Sequence, residues 1–569
     1  MKRAAFAVLL LAVSSAAFAQ QTQRYIVGMK SDAVHAAKRA AFADRITEEF
    51  RYLDSFVANL TDAEVQTLRN DPSVRYVESA EILFFALDAP APARHIAPMS
   101  HPVNAQVTPY GITMVRAPNL WPIAKGDGIN VAVVDTGIDY THPELKDRYQ
   151  GGFNAVTGTN DPRDDDGHGT HVAGTIAAAD NGIGVVGVAP NVKIWSAKVL
   201  HPTANGQATG SNAQIAAGLN WVLSQKNALG GNWIVNMSLG QCTDVSVSDQ
   251  CSTTPSFAMQ TACQSLADAG VLVFAASGND STVTHIASVS YPAAFSNVIA
   301  VGALDSTQKI AVFSNQGPEI AVTAPGVGVF STIIVGQGVN AFLTTPNASF
   351  DDFALTGSAK GTQNGQYVYC GFGATAADFP ASVKGNIALI QRGANITFNA
   401  KTKNALTAGA KAVVIYNCSI AATPTTCTSD TFGSWTLISQ VDGVNDPADL
   451  AFPWPVAIGI SLSDGESLRN ASTASALTAT TVADDYETES GTSMACPHAV
   501  GVAALVWSVA PAASAFAVKS ALFNSTTDLG TTGRDNTFGF GLLDAYAAAR
   551  LLNPAAFAVK ARLPGRRGH

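Results

Sequence analysis

Val131-Ala132-Val133-Val134-Asp135-Thr136-Gly137-Ile138-Asp139 places an unbroken apolar run directly before an acid. A short run of this kind, without polar alternation, reads as a strand buried on both faces, the mark of a parallel sheet. An acid at the carboxyl end of such a strand lies where open α/β sheets place their sites. Similar β-rich runs follow at Val271-Leu272-Val273-Phe274, Val298-Ile299-Ala300-Val301 and Ile320-Ala321-Val322-Thr323. Helical stretches such as 213–223 are interleaved with them. Strands alternating with helices predict an α/β fold on a doubly wound parallel sheet, beginning near Pro109-Tyr110-Gly111.

Two more strings supply partners for that acid. Gly167-His168-Gly169-Thr170-His171-Val172-Ala173-Gly174 opens a small-residue helix expected over 168–179, and Gly491-Thr492-Ser493-Met494-Ala495-Cys496-Pro497-His498 opens another running through Val506. A serine hydroxyl is a weak nucleophile until an imidazole takes its proton. The imidazole in turn needs a carboxylate to hold its tautomer and stabilise its charged form. Acid, base, nucleophile is one of the few chain orders known for such a triad. With these three signatures the chain resembles the subtilisin-like serine peptidases, the subtilases. The resemblance implies a catalytic set of Asp135, His168 and Ser493. Asp-Thr-Gly also marks aspartic peptidases, but no second such acid occurs in the chain. His168 and His171 stand at helical spacing without a third ligand in a zinc pattern, so His171 is expected to be structural. A lipase-like Gly-x-Ser-x-Gly is absent at Ser493, and the triad order differs from that of such enzymes. A non-catalytic peptide-binding module would lack one of these residues, and none is missing.

The same resemblance implies further roles. Ala275-Ala276-Ser277-Gly278-Asn279 makes Asn279 the expected oxyanion donor, together with the Ser493 backbone N–H. Asn236-Met237-Ser238-Leu239-Gly240 matches the segment that pairs with substrate as an added strand, a mode that leaves selectivity to side-chain pockets. Ser238, Leu239, Gly240, Ala275 and Gly278 are thus expected to bind substrate. They carry no charge, and Ser290 and Ala293 stand where the family often has glycine. Cleavage after uncharged, medium-sized or apolar residues follows as the expectation.

The N-terminus reads as a secretory signal over 1–19: Lys2 and Arg3, an apolar run, then Ala17-Phe18-Ala19. That run is too short to span a membrane, and no later run of sufficient length is expected. Net charge is −9 with 14% charged residues, which offers no broad basic surface for nucleic acid. The expected localisation is extracellular, with protein or peptide substrates as partners. Residues 20–100 resemble the family's inhibitory propeptide plus a linker: strands at 24–29 and 74–78, helices near 33–43 and 61–70, and a Pro/Ala-rich stretch at 88–94. The propeptide would bind in cis and be removed by self-cleavage between about Leu87 and Ala105.

A peptidase domain expected over 101–332 and 479–553 is interrupted, because Ser493 lies far beyond the point where minimal subtilases place their serine. The insertion, 333–478, reads as strand, helix, strand around Gly385 to Asn417, with Pro453-Trp454-Pro455-Val456-Ala457-Ile458 as a later strand. It resembles a β-rich protease-associated (PA) domain, most closely over 350–475, for which the resemblance implies no catalytic residue. A basic tail, 554–569, closes the chain.

Calcium is the cofactor the resemblance implies. Matching ligand positions are Gln106, Glu144 and Asn181 with the carbonyls of Ala179, Ile183 and Val185, all hard oxygen donors. Glu144 stands where the family usually has Asp, and Asp180 is a nearby alternative. Seven cysteines in an exported chain predict disulfides. Cys496 is expected unpaired and buried; the other six allow fifteen connectivities, with Cys418 to Cys427 and Cys242 to Cys251 the near neighbours.

Overall fold

The run around Val131 is a strand, Ile129–Asp135, buried at every residue. In the computed structural model the described residues are 22–87, 92–93, 106–203, 207–242, 252, 254–282, 284–346, 348–350, 352–419, 427, 432–433, 435–438, 440–441, 444–471 and 476–558. The expected signal segment, nearly all of the linker, Cys251 and the tail from 559 lie outside them. The chain divides into two units after Ala80.

In the smaller unit, strands Gln23–Met29, Ile46–Phe50, Ser55–Leu60 and Val74–Ser79 form one antiparallel sheet with helices Asp32–Ala41 and Asp62–Arg69. Val27, Met29, Phe56, Ala58 and Leu60 sit in its core. Thr61 and Glu64 close the start of the second helix with a reciprocal capping box.

The larger unit is built on seven parallel strands. Across the sheet they run Ile320–Pro325, Ile299–Leu304, Leu272–Ala276, Asn232–Met237, Ile129–Asp135, Lys193–Lys198, Tyr149–Asn154. Helices Asn212–Leu229 and Phe257–Asp268 pack together, as do His168–Ala177 and Thr492–Val509, and both pairs lie against the sheet. This covering explains why the inner strands Ile129–Asp135, Leu272–Ala276 and Ile299–Leu304 are apolar runs rather than alternating. The chain order along the sheet reverses beside Ile129–Asp135, so a crevice opens past the carboxyl ends of that strand and of Asn232–Met237. Asp135 ends the first strand, and Ser238 follows the second.

The inserted elements run from Gly338 to Asp484, later than the expected end at 478. They make an eight-stranded mixed sheet whose parallel centre is Gly361–Tyr369, Ile387–Gln391, Ala412–Tyr416 and Val456–Ile460. Successive residues face opposite sides of a strand. Accordingly Ala388, Ile390, Val413 and Ile415 join one core, and Ile387, Leu389, Ala412 and Val414 the other. Where the chain enters and leaves the insertion, Val329–Thr332 pairs antiparallel with Tyr486–Glu489. The helix expected over 168–179 ends at Ala177, and the tail begins with a turn of 3-10 helix, Pro554–Phe557.

One expectation needs correction. Among the described residues helix Thr492–Val509 is long and apolar enough to cross a membrane by length and composition. Residues 492–507 of it are buried in the protein, which accounts for its apolar character.

Candidate active site

Asp135 is fully buried at its strand end, where its Oδ1 accepts from the Thr136 backbone N–H at 2.7 Å and faces His168 Nδ1 at 2.6 Å. His168 opens its helix, and that start is fixed from outside. One carboxylate oxygen of buried Asp164 accepts from the N–H groups of Asp166 and Gly167, both at 3.0 Å; the other accepts from Thr170 N–H (2.9 Å) and its hydroxyl (2.6 Å). A Cβ at Gly169 would run into the Gly137 carbonyl, so only glycine lets this helix approach the Asp135 loop. His171, one turn on, is fully buried with Nε2 3.0 Å from the Val329 carbonyl oxygen. Burial pushes its pKa down to about 3, with His168 adding to the effect; it is a neutral packing histidine, as expected. His498, also buried, has Nδ1 2.7 Å from the Met494 carbonyl oxygen and is pushed down to about 4 by burial.

Ser493 lies in the first turn of helix Thr492–Val509. Pro497, four residues on, has no N–H, so the Ser493 carbonyl loses its intrahelical donor. The Ser238 hydroxyl replaces it, donating to that carbonyl at 2.8 Å while accepting from Asn236 Nδ2 at 3.0 Å. The Ser493 hydroxyl donates to the Ser238 carbonyl at 3.0 Å. Asp135, His168 and Ser493 thus all stand at the crevice predicted by the strand order.

Asn279 is held in one orientation. Its Oδ1 accepts from the Thr492 N–H at 2.9 Å and the Thr492 hydroxyl at 2.8 Å, which turns Nδ2 outward. Nδ2 donates to the Leu87 carbonyl at 2.5 Å. The sequence expectation of a propeptide bound in cis did not include the strand that carries this residue. Residues Leu83–Ala86 form a strand of the larger unit, antiparallel to Leu239–Gln241 on one side and Ala208–Ser211 on the other. Leu87 N–H donates to the Ser238 carbonyl at 3.3 Å, and its side chain packs on Gly240. Ile82, Phe84 and Ala86 are buried, with Phe84 completely so. The whole of 82–87 is apolar, so no polar partner residues mark the alternation that would have announced a strand. Of the expected substrate residues, Ser238, Leu239 and Gly240 flank this segment. Gly278 adjoins Asn279, whereas Ala275 is fully buried in the sheet between Met237 and Ala300.

The residues expected around calcium are brought together. Gln106 Nε2 donates to the carbonyls of Ala179 (2.6 Å) and Val185 (3.3 Å). Buried Glu144 accepts from Asn181 Nδ2 and from the Tyr486 hydroxyl, both at 3.0 Å, and burial pushes its pKa up to about 7. Asn181 Oδ1 accepts from Ile183 N–H at 3.1 Å. Amide, carbonyl and carboxylate oxygens are the donor types calcium takes, and a buried carboxylate disfavoured in its charged form is one that a cation would relieve. The residues therefore fit the ion. Asp180, the alternative, faces Lys125 at 2.6 Å instead.

Cys418 and Cys427 form a disulfide, as expected from their proximity, and Cys242 is disulfide-bonded. Cys496 is free and buried. Cys263 and Cys370 are also free and buried, which corrects the expectation that six cysteines pair; each sits in an apolar core, where a thiol packs as a small hydrophobe.

The profile of the Subtilase family matches residues 126–376 and 379–541. This chain belongs to the subtilase family. It is similar to subtilisin E of Bacillus subtilis (strain 168), 37% identical over 319 residues that cover 55% of this chain and 73% of that protein. It is also similar to an alkaline protease of Alkalihalobacillus alcalophilus, 38% identical over 289 residues, covering 50% and 64%. Among solved structures it resembles the psychrophilic subtilisin-like protease Apa1 from the Antarctic psychrotroph Pseudoalteromonas sp. AS-11. That match has a TM-score of 0.56 at 29% identity and covers 79% of this chain and 99% of the other. The chain is accordingly a subtilisin-like serine endopeptidase acting on protein substrates.

Proposed function

We propose that this subtilase is an exported zymogen that cuts its own chain between Leu87 and Asp88 and then hydrolyses proteins through an acyl-enzyme on Ser493. The observation that carries the reading is the Leu87 carbonyl, bonded to Asn279 Nδ2 at the end of a strand paired on both edges. A peptide carbonyl held by a donor, with its strand aligned beside Ser493, is the pose of a residue just before a scissile bond.

In the proposed mechanism the Ser493 hydroxyl leaves the Ser238 carbonyl for His168. As Oγ attacks the carbonyl carbon, His168 Nε2 takes its proton, while Asp135 holds Nδ1 and stabilises the imidazolium. The carbonyl oxygen becomes an oxyanion facing Asn279 Nδ2 and the Ser493 N–H, which as a first-turn amide has no intrahelical acceptor. Collapse breaks the C–N bond, and the departing amine receives the proton from His168. Water, deprotonated by the same imidazole, then releases the acid and restores the serine.

Leu87 against Gly240 supports cleavage after medium-sized apolar residues, and fully buried Phe84 supports an aromatic side chain three residues earlier. Export is supported by the charged and apolar start of the chain and by the Cys418–Cys427 disulfide. Residues 20–87 would be the inhibitory segment. The inserted sheet would be a PA domain that governs access rather than chemistry. Calcium, held by Gln106, Glu144, Asn181 and the carbonyls of Ala179, Ile183 and Val185, would supply a stabilising charge beside the helix of His168.

The test is Ser493→Ala in the full precursor. Wild type should yield a mature N-terminus at Asp88 by mass spectrometry, and the variant should stay uncut and inactive on casein. A variant that still processes, or active wild type starting at Gln20, overturns the reading.

A further inference from the structure

Asn279 can serve an oxyanion only if its backbone is as well placed as its amide, and Thr492 fixes only the amide. The residues on either side of Asn279 are both held by Asn315, which comes from the loop before strand Ile320–Pro325 and is 1% exposed. The Asn315 N–H donates to the Gly278 carbonyl at 2.9 Å, and its carbonyl accepts from the Ser277 hydroxyl at 3.3 Å. Its side-chain Oδ1 accepts from the N–H groups of Asp280 (2.8 Å) and Ser281 (3.1 Å). Its Nδ2 donates to Asp280 Oδ2 at 2.8 Å and to the Ser288 carbonyl at 2.9 Å.

This division fixes the side chain's orientation, since two N–H groups need an acceptor and two oxygens need a donor. Aspartate could not donate to the Ser288 carbonyl and would oppose the Asp280 carboxylate. Alanine would leave both N–H groups and both acceptors without this partner, and unpaired buried groups pull a loop toward whatever else can satisfy them. Gly278 adopts φ +110°, in the region that favours glycine, and a Cβ there would overlap Asn315 Nδ2 and Ser290 Oγ. The loop and Asn315 are therefore closely fitted, with Asn279 projecting between two clamped residues.

We propose that Asn315 is a positioning residue that sets where the Asn279 amide stands relative to the reacting carbonyl. The inference rests on the oxyanion role proposed for Asn279. Asn315 touches no reacting atom; it acts through the loop. A displacement of about 1 Å at a catalytic group can lower turnover about 10²-fold.

The experiment is a double-mutant cycle on the mature enzyme with a tetrapeptide anilide ending in leucine. Asn279→Ala should lower kcat about 10²–10³-fold, the loss known for such a donor in a subtilisin. Asn315→Ala should lower kcat about 10- to 100-fold with KM within about two-fold, because only the transition state uses the oxyanion donor. In the Asn279→Ala background the same change should cost less than about three-fold, since residues that act as a unit are not additive. Full multiplication of the two losses, or a raised KM with kcat intact, overturns the proposal and leaves Asn315 as a brace of its own loops. If Asn279→Ala itself keeps wild-type kcat, the oxyanion reading fails instead. Should the Asn315→Ala precursor not fold, Asn315→Ser keeps one hydroxyl for the loop. Its smaller kcat loss must likewise vanish in the Asn279→Ala background.

Discussion

The strand end at Asp135 and the strand end at Gln391 begin alike and finish differently. Each closes a buried parallel strand, and at each a helix brings a side chain back to the strand end, His168 to Asp135 and Lys401 to Gln391. At the first, the polar side chains of Asp135, His168 and Ser493 gather at the crevice. At the second, Lys401 from helix Phe398–Thr407 turns its ammonium back onto the carbonyls of Gln391 and Gly393, both at 3.1 Å, and of Phe372. Lys401 is fully buried, and burial pushes its pKa down to about 8. The same architecture thus offers one open end, where carbonyls and amides remain for a substrate, and one end closed by an internal cation.

Acid should separate the two regions most strongly. His171 and His498, buried residues of the histidine and serine helices, have folded pKa values pushed down to about 3 and about 4. Unfolded, they return to about 6.5. Between those values the unfolded chain binds more protons, so the stability from keeping them neutral is complete above about pH 6.5 and is lost as pH falls. Since the unfolded histidines are half protonated at pH 6.5, moving from pH 6.5 to 5 should remove about 3 kcal/mol of their joint contribution, while Glu144 and Glu487, both held up at about 7 by burial, work in the opposite sense over that range. Lys401 stays charged throughout that range and contributes no slope. Denaturant unfolding of the uncut Ser493→Ala protein at the two pH values measures this. His498→Asn should make the loss between the two pH values smaller by about 1.5 kcal/mol, and an unchanged difference would show that this histidine does not contribute to it.

Lys401→Met is the sharper test of the closed end. Three carbonyls would lose a donor at once, so the insertion should lose about 3 kcal/mol of stability. Turnover of a small peptide should stay within about two-fold, because nothing at Ser493 changes. A large fall in kcat for that peptide would mean that the insertion's strand end does reach the chemistry.

Much of this was legible in the chain. Uniformly apolar runs announced parallel strands because helices cover both sheet faces, and the strands and helix around Lys401 were readable for the same reason. The motifs around Asp135, His168 and Ser493 carried the site because reactive side chains sit next to the glycines and small residues that let their elements approach. What escaped was interaction between distant segments. Nothing in Leu83–Ala86 distinguishes a strand laid between two segments of a groove from a core strand, since all its residues are apolar. Asn315 looks like an ordinary loop asparagine until the fold brings it to Asp280. Cys263 and Cys370 were counted with the pairing cysteines because spacing does not reveal burial. A buried apolar helix, Thr492–Val509, also looks like a membrane span when read alone.

The smallest expected effect concerns the root of the insertion, where Tyr486 donates to Glu144. That contact ties the segment after the inserted sheet to the loop after the Asp135 strand, so it joins the two regions. Burial raises the Glu144 pKa to about 7, which means that near neutral pH the folded protein bears a carboxylate that prefers its proton. A calcium ion bound there would remove that penalty. A ligand at about 100 times its Kd stabilises by about 2.7 kcal/mol, which for a domain this large is a rise of a few degrees in Tm. In the Ser493→Ala protein, millimolar calcium should give that rise and a chelator should reverse it. Glu144→Gln keeps the size and the bond to Tyr486 but removes the charge, so its Tm should be insensitive to calcium and no lower than that of the chelated parent. If parent and variant respond equally, the ion binds elsewhere, and Glu144 serves only to join the insertion's root to the peptidase sheet.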